Sequence, residues 1–188
     1  MLSQIRPFRA AVAAAVLAGC GVGEALQDLT TLNEIVDRTD TVAMSPDTTV
    51  AQMPPSATAQ FTGNTLGVMT HQFSGAQAYY WGDAELDVNF AAKTVEGSLS
   101  NLRGLNTRSE LGDASGEIIL SNGTISGADL AIDYAGDITL TNETLSVGGR
   151  AEGEFHGSNA EGLLVGDTAQ GAINGTSFVS EFYIVAEQ

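Results

Sequence analysis

The stretch AELDVNFAAKTVEGSLSNL, residues 84–102, alternates between apolar and polar side chains on both sides of a central break. Every second residue from Ala84 to Phe90 is apolar, and Glu85, Asp87 and Asn89 lie between them. The same period of two returns between Val95 and Leu99. This period is typical of strands with one face in a core and the other in water. The stretch therefore predicts two amphipathic β-strands.

Similar alternation extends from Gln60 to the C-terminus and gives about eight strands in roughly 130 residues, with turn residues at meander spacing. Asn122-Gly123 predicts a hairpin turn, because a type I′ turn needs positive φ at both central residues. A change of parity near Gly127-Ala128 predicts a β-bulge. The last segment, TSFVSEFYIVA, is apolar on both faces.

These patterns predict an all-β domain over residues 60–188, a single antiparallel eight-stranded up-and-down β-barrel. Eight strands close into a barrel that side chains can fill, and closure removes the exposed sheet edges. An open sandwich remains the alternative. A membrane-spanning barrel is disfavoured, since the outward faces carry Glu, Asp and Asn.

The N-terminus has the pattern of an export signal. MLSQIRPFR is basic, a short apolar run follows, and LAGC ends at Cys20, the single cysteine of the chain. LAGC resembles a bacterial lipobox, which implies a lipoprotein signal peptide over residues 1–19 and a diacylglycerol with acyl chains such as palmitate on Cys20. Gly21 follows the cysteine where an aspartate would favour inner-membrane retention, so the resemblance implies an outer-membrane anchor, at the cell surface or the periplasmic face.

Residues 20–59 differ in composition from the rest and predict a lipidated tether that is partly helical or disordered. Leu26, Leu29, Leu32 and Ile35 or Val36 recur at helical spacing, and the prolines that follow oppose regular structure. The helical piece either belongs to a loose tether or packs on the barrel, and the pattern leaves both open.

Composition limits the function. The chain has 7 Lys+Arg against 23 Asp+Glu, so nucleic acid and anionic membrane surfaces are poor partners, although solubility alone also explains this acidity. The sequence contains no H-E-x-x-H, G-x-S-x-G or D-x-D-x-D-G pattern, and lipidation of Cys20 would use its one thiol. We therefore expect no cofactor, no metal and no catalytic residues.

The stretch GEFHGSNAEGLLVG, residues 153–166, poses the choice between an active site and a hairpin. Parity places Gly153 and Phe155 inward, and His156 outward beside Glu154. An outward histidine among acids is normally a solvated strand face, so we predict a structural hairpin that turns at Ser158-Asn159. His71 shares parity with Met69 and Phe73 and is predicted to lie in the core or at the barrel rim.

The same stretch resembles the hairpin G-x-F-[YF]-G-P-N-A-x-E-x-x-G of the β-barrel domains of transferrin-binding protein B and related surface lipoproteins. Residues 84–102 resemble the a-x-x-V-D-F-x-x-K-T-x-x-G-x-L hairpin of that family. Ser158 replaces the usual proline and His156 the aromatic residue, and this chain has one barrel where the receptor has two lobes. The resemblance assigns structural hairpin roles to Phe90, Lys93, Thr94, Gly97, Gly153, Phe155, Gly157, Asn159, Ala160 and Glu161.

The resemblance implies a lipid-anchored barrel used for binding rather than catalysis. Its partners would be the membrane, through Cys20, and an iron or haem carrier or another protein. The alternative is a structural or adhesive surface lipoprotein without a defined small ligand.

Overall fold

The computed structural model describes residues 22–188, so the predicted signal peptide and Cys20 lie outside the described residues. Helix α1 (Val22–Met44) and a 3-10 turn (Val50–Gln52) precede eight strands. The strands are β1 (Thr58–Thr70), β2 (Gln77–Asn89), β3 (Thr94–Leu105), β4 (Leu111–Ser126), β5 (Asp129–Leu140), β6 (Glu143–His156), β7 (Gly162–Ile173) and β8 (Thr176–Glu187).

The strands form a closed antiparallel barrel in sequence order. Each strand pairs with the next, and β8 returns to β1, where Gly67 lies opposite Phe182. This confirms the predicted up-and-down barrel and rules out the open sandwich.

The barrel interior is filled by side chains. The inward positions of the alternating segments form one apolar cluster in which the largest members are almost completely buried. The Phe155 ring packs against Phe61 and Phe90, at centroid distances of 5.8 and 5.6 Å. Tyr134 stacks on Phe182 at 4.5 Å. The interior is therefore a packed core, as expected of a barrel of this size.

Helix α1 packs on the outside of this barrel, which settles the question that the sequence leaves open. A second apolar cluster joins the helix to outward-facing residues of β1, β2, β3 and β8. Its buried members are Leu32, Ile35, Val42, Leu66, Val68, Tyr79, Trp81, Leu105 and Val185. The final strand is apolar on both faces because one face fills the barrel and Val185 on the other lies in the cluster with the helix. Although 23 residues long, α1 is too polar to cross a bilayer, and the described residues contain no other helix that could.

Polar contacts give the direction of α1 along the barrel. Asp28 forms an ion pair at 3.1 Å with Arg103, close to the barrel end that carries loops 71–76 and 106–110, here called the loop end. Val42 lies against Gly162, where an added Cβ would be 3.0 Å from Val42 Cγ1. Gly162 is at the opposite barrel end, which carries turns 90–93 and 157–161 and is here called the turn end. The helix therefore begins toward the loop end and finishes at the turn end.

Two sequence predictions about β4 are wrong. Asn122-Gly123 lies inside the strand, where the β4–β5 register shifts between Ser121 and Thr124, so it forms a bulge and not a hairpin turn. The turn is at Gly127-Ala128, the position predicted to be a bulge. Asn122 does have positive φ, +51°, but Gly127 has φ +68° as well. Positive φ is needed in bulges as well as in turns, so local chemistry did not separate the two.

If α1 is an integral part of the fold, truncating its buried face should destabilise the whole protein. Ile35→Ala should lower the free energy of unfolding by about 2–5 kcal/mol, because it leaves a cavity in the outer cluster. Met44→Ala, at the end of the same helix and 80% exposed, should change it by less than about 0.5 kcal/mol. Urea unfolding followed by circular dichroism measures both. Equal, negligible effects would mean that the helix is a loose tether.

Candidate functional site

The turn between β6 and β7 spans residues 157–161 and is held by a carboxylate. Glu161 accepts hydrogen bonds from the Asn159 backbone N–H at 3.2 Å and from the Ser158 hydroxyl at 3.1 Å. These bonds, the backbone one first, lower the pKa of Glu161. Gly157 has φ +90°, and an added Cβ there would clash with the Glu161 carboxylate. Ala160 is buried and has φ +57°. These contacts bring Gly157, Asn159, Ala160 and Glu161 together in one tight turn.

The other motif residues lie within strands or in the turn between β2 and β3. Phe90 and Phe155 are buried in the core, Lys93 has φ +59° in the β2–β3 turn, and Thr94 begins β3. Glycine is required at Gly97 and Gly153, because an added Cβ would clash with a backbone carbonyl of the neighbouring strand.

The prediction that His156 is solvated is wrong. Its side chain is only 3% exposed, because the segment after α1 crosses over it. Asp47 forms a backbone bridge opposite His156, and Thr48 N–H donates to the Phe155 carbonyl at 2.9 Å. Gly157 N–H donates to the Pro46 carbonyl at 2.8 Å. Strand parity places His156 outward correctly, but the covering segment is about a hundred residues away in sequence and gives no local signal.

Two carboxylates lie beside the buried imidazole. His156 Nδ1 is 3.3 Å from the Ser45 carbonyl oxygen and 3.5 Å from Asp47 Oδ1. On the other side of the ring, Nε2 is 3.7 Å from Glu154 Oε1 and has no hydrogen-bond partner. The group lines a cleft of about 320 Å³ between the end of α1 and the outer faces of β6, β7 and β8. Imidazole nitrogen and carboxylate oxygen are both ligands that zinc takes in proteins.

His71 lies at the barrel rim, as predicted. Its Nδ1 accepts a hydrogen bond from Ser74 N–H at 3.1 Å, and its ring packs on Phe178 at a centroid distance of 5.0 Å. Phe73, which shares its parity, is 93% exposed because β1 ends at Thr70. His71 and His156 are therefore on different parts of the barrel and do not form one site.

A second candidate surface is the acidic outer face of β2, β3 and β4 toward the turn end, beyond the residues of β2 and β3 that α1 covers. Asp87 on β2 lies directly opposite Glu96 on β3, and both line two adjoining grooves, one of about 610 Å³ across β1–β3 and one of about 570 Å³ across β2–β4. Like charges opposite each other in a sheet are destabilising. Ile119 lies in one of these grooves and is 48% exposed. An apolar residue flanked by acids suits recognition of a protein surface that is basic around an apolar spot.

Two kinds of comparison identify relatives of this barrel. Residues 53–180 match the family model described as the C-lobe and N-lobe beta barrels of Tf-binding protein B. Among solved structures, a variant of transferrin-binding protein B from Haemophilus parasuis superposes with a TM-score of 0.54 at 16% identity, over 76% of this chain and 28% of that one. A double variant of that protein gives a TM-score of 0.51 at the same identity and coverage.

The structural likeness concerns the fold, and this chain covers 28% of the length of the Haemophilus parasuis protein. No individual curated protein matches the chain. The family match runs from just before β1 into β8, so it covers more than half of the chain and nearly the whole barrel. The chain belongs to the family of transferrin-binding protein B β-barrels.

Proposed function

We propose that this protein is an outer-membrane lipoprotein, anchored through Cys20, that captures another protein on the outside of its barrel and catalyses no reaction. LAGC at residues 17–20 supports the anchor, and Gly21 after it supports the outer membrane. Membership of a family named for a transferrin-binding protein supports the binding role.

The packed interior is the observation that carries this proposal. Phe61, Tyr80 and Phe182 fill the space that a ligand-carrying barrel keeps open, and all three are fully buried. Recognition therefore falls on the outer surface. An outer surface suits a macromolecule, and in this family an iron or haem carrier protein is the first candidate.

The direction of α1 supports a particular orientation on the membrane. Only Gly21 separates Cys20 from the first residue of α1, so a lipid on Cys20 would be held within about 7 Å of the helix start. The loop end would then lie nearest the bilayer. Phe73, exposed at that end, suits the lipid headgroup region, where aromatic side chains are favoured.

This orientation leaves the acidic grooves of β2–β4 on the side wall of the barrel, accessible to a partner. Asp87 and Glu96 form a close pair of like charges whose repulsion a basic partner would relieve. We therefore assign capture to this face, with Ile119 as its apolar contact.

Loss of the lipidated thiol should release the protein from membranes. Cys20→Ser should move it from the membrane pellet to the soluble fraction, because two or three acyl chains make a stable anchor. Met44→Ser, at an exposed site, should remain in the pellet. Cell fractionation with mass spectrometry of the N-terminal peptide measures both. An unmodified Cys20 on a membrane-bound wild-type chain would contradict the anchor.

Neutralising the acidic grooves should weaken capture. Iron-loaded transferrin, iron-free transferrin and a haem carrier are passed over immobilised protein in a biosensor. The double variant Asp87→Asn with Glu96→Gln should bind the recognised carrier at least about 10-fold more weakly, since charged groups across an interface guide association.

Glu117→Gln with Asp137→Asn is the matched control. These acids also lie directly opposite each other, on β4 and β5, but outside the grooves. Both double variants relieve a cross-strand repulsion, but only the first changes the grooves. Only the first should therefore lose binding. Equal losses would place recognition elsewhere, and binding to none of the three carriers would favour the structural or adhesive alternative.

A further inference from the structure

We propose that Asp47, Glu154 and His156 form a binding site for a divalent transition metal ion of the size of zinc. One donor atom from each side chain can be chosen so that all three lie within 4.8 Å of one another. Two exposed acids would not by themselves indicate a metal site. His156 Nε2, which is buried and has no hydrogen-bond partner, indicates that a ligand binds there.

The surroundings of the imidazole select its free nitrogen. Nδ1 faces the Ser45 backbone carbonyl oxygen at 3.3 Å, an acceptor that stays in place when Asp47, now 3.5 Å from Nδ1, turns toward an ion, so the proton belongs on Nδ1. Nε2 then carries a free lone pair and has no hydrogen-bond partner, in a side chain that is only 3% exposed. A proton on Nδ1 that faces a carbonyl is the usual outer-shell arrangement of a metal-binding histidine.

The spacing of the donors fits a small divalent ion. Zinc ligands lie about 2.0–2.2 Å from the ion, so neighbouring tetrahedral ligands are about 3.4 Å apart. His156 Nε2 and Glu154 Oε1 are 3.7 Å apart, a few tenths of an ångström from that separation. Asp47, with its side chain 78% exposed, is free to rotate toward the ion and supply the third ligand.

Without an ion, this arrangement is unfavourable. A buried polar atom without a hydrogen-bond partner is costly, and Glu154 and Asp47 hold two negative charges beside the same ring. A divalent cation satisfies Nε2 and neutralises both carboxylates. The cleft beside the group admits water, which completes the coordination sphere.

Metal binding at this place would connect two distant parts of the chain. Asp47 belongs to the segment that follows α1, whereas Glu154 and His156 are in β6. Backbone hydrogen bonds already hold Pro46 and Thr48 against the end of β6. The ion would therefore fasten the C-terminal end of α1 to the barrel and stabilise the folded state by mass action.

The proposal is tested with zinc itself. The full chain carrying Cys20→Ser is used throughout, so that the single thiol cannot bind metal. Isothermal titration calorimetry should give one zinc per chain, and zinc at 100 times Kd should raise Tm by roughly 5–10 °C. Calcium and magnesium should cause no comparable shift, since a histidine with two carboxylates is a poor site for them.

Variants separate the site from general surface acidity. His156→Ala and Glu154→Gln should each weaken zinc binding by about 100-fold or more, above the 10–100-fold cost of losing an outer-shell partner. Glu152→Gln is the matched control, an acid on the same strand that lines the same cleft but is not one of the three donors. It should bind zinc as the unsubstituted protein does.

Glu154→Gln keeps the test valid if His156→Ala fails to fold, because Glu154 is half exposed. Cobalt provides a second readout, since four-coordinate binding gives intense visible absorption that Glu154→Gln should abolish. The proposal is overturned if zinc leaves Tm unchanged, or if Glu152→Gln and Glu154→Gln reduce affinity equally.

Discussion

The pairing of β1 with β8 closes the barrel and thereby determines where the core and the outer surfaces lie. It joins residues 62–70 to residues 179–187 and so gives each of the eight strands two neighbours. Without it, both strands would be open edges, which are prone to pairing with other chains. Closure also sets the size of the interior, which large aromatic side chains fill. A filled interior in turn places any recognition on the outer wall.

The outer wall carries two unlike surfaces. One is apolar and is covered by α1, which buries Trp81, Leu66 and Val185 that would otherwise face water. The other is acidic and lies open on the part of β2–β4 that is nearer the turn end. The helix also determines where the following segment runs. Because α1 ends beside Gly162, residues 46–48 cross the end of β6 and cover His156. Packing of the helix on one side of the barrel thus creates the cleft at its turn end.

Much of the barrel was predictable because its information is local. Alternation along residues 84–102 identified the buried face, and the acids between the apolar residues identified the outward face. The failures concern features without local information. Asn122-Gly123 and Gly127-Ala128 both allow positive φ, and only the pairing with β3 and β5 decides which of them turns the chain. His156 looked solvated because the residues that cover it precede the barrel.

The candidate sites also combine features that local sequence patterns predict with features that they do not. The acidic side chains of the β2–β4 face were predicted to point outward, but the opposition of Asp87 and Glu96 depends on strand register, which alternation alone does not give. Asp47 was missed altogether, because its only signal is contact with a strand far along the chain. Sequence patterns could find the face of each strand, whereas the sites arise where separate elements meet.

Native-state hydrogen exchange distinguishes a closed barrel from a sheet with open edges. The amides that pair β1 with β8 should exchange only through global unfolding, with the same opening free energy as the amides that pair β4 with β5. The same opening free energy is expected because a closed barrel has no edge at which local opening can begin. Exchange of the β1 and β8 amides at a clearly lower free energy than the β4 and β5 amides would contradict closure.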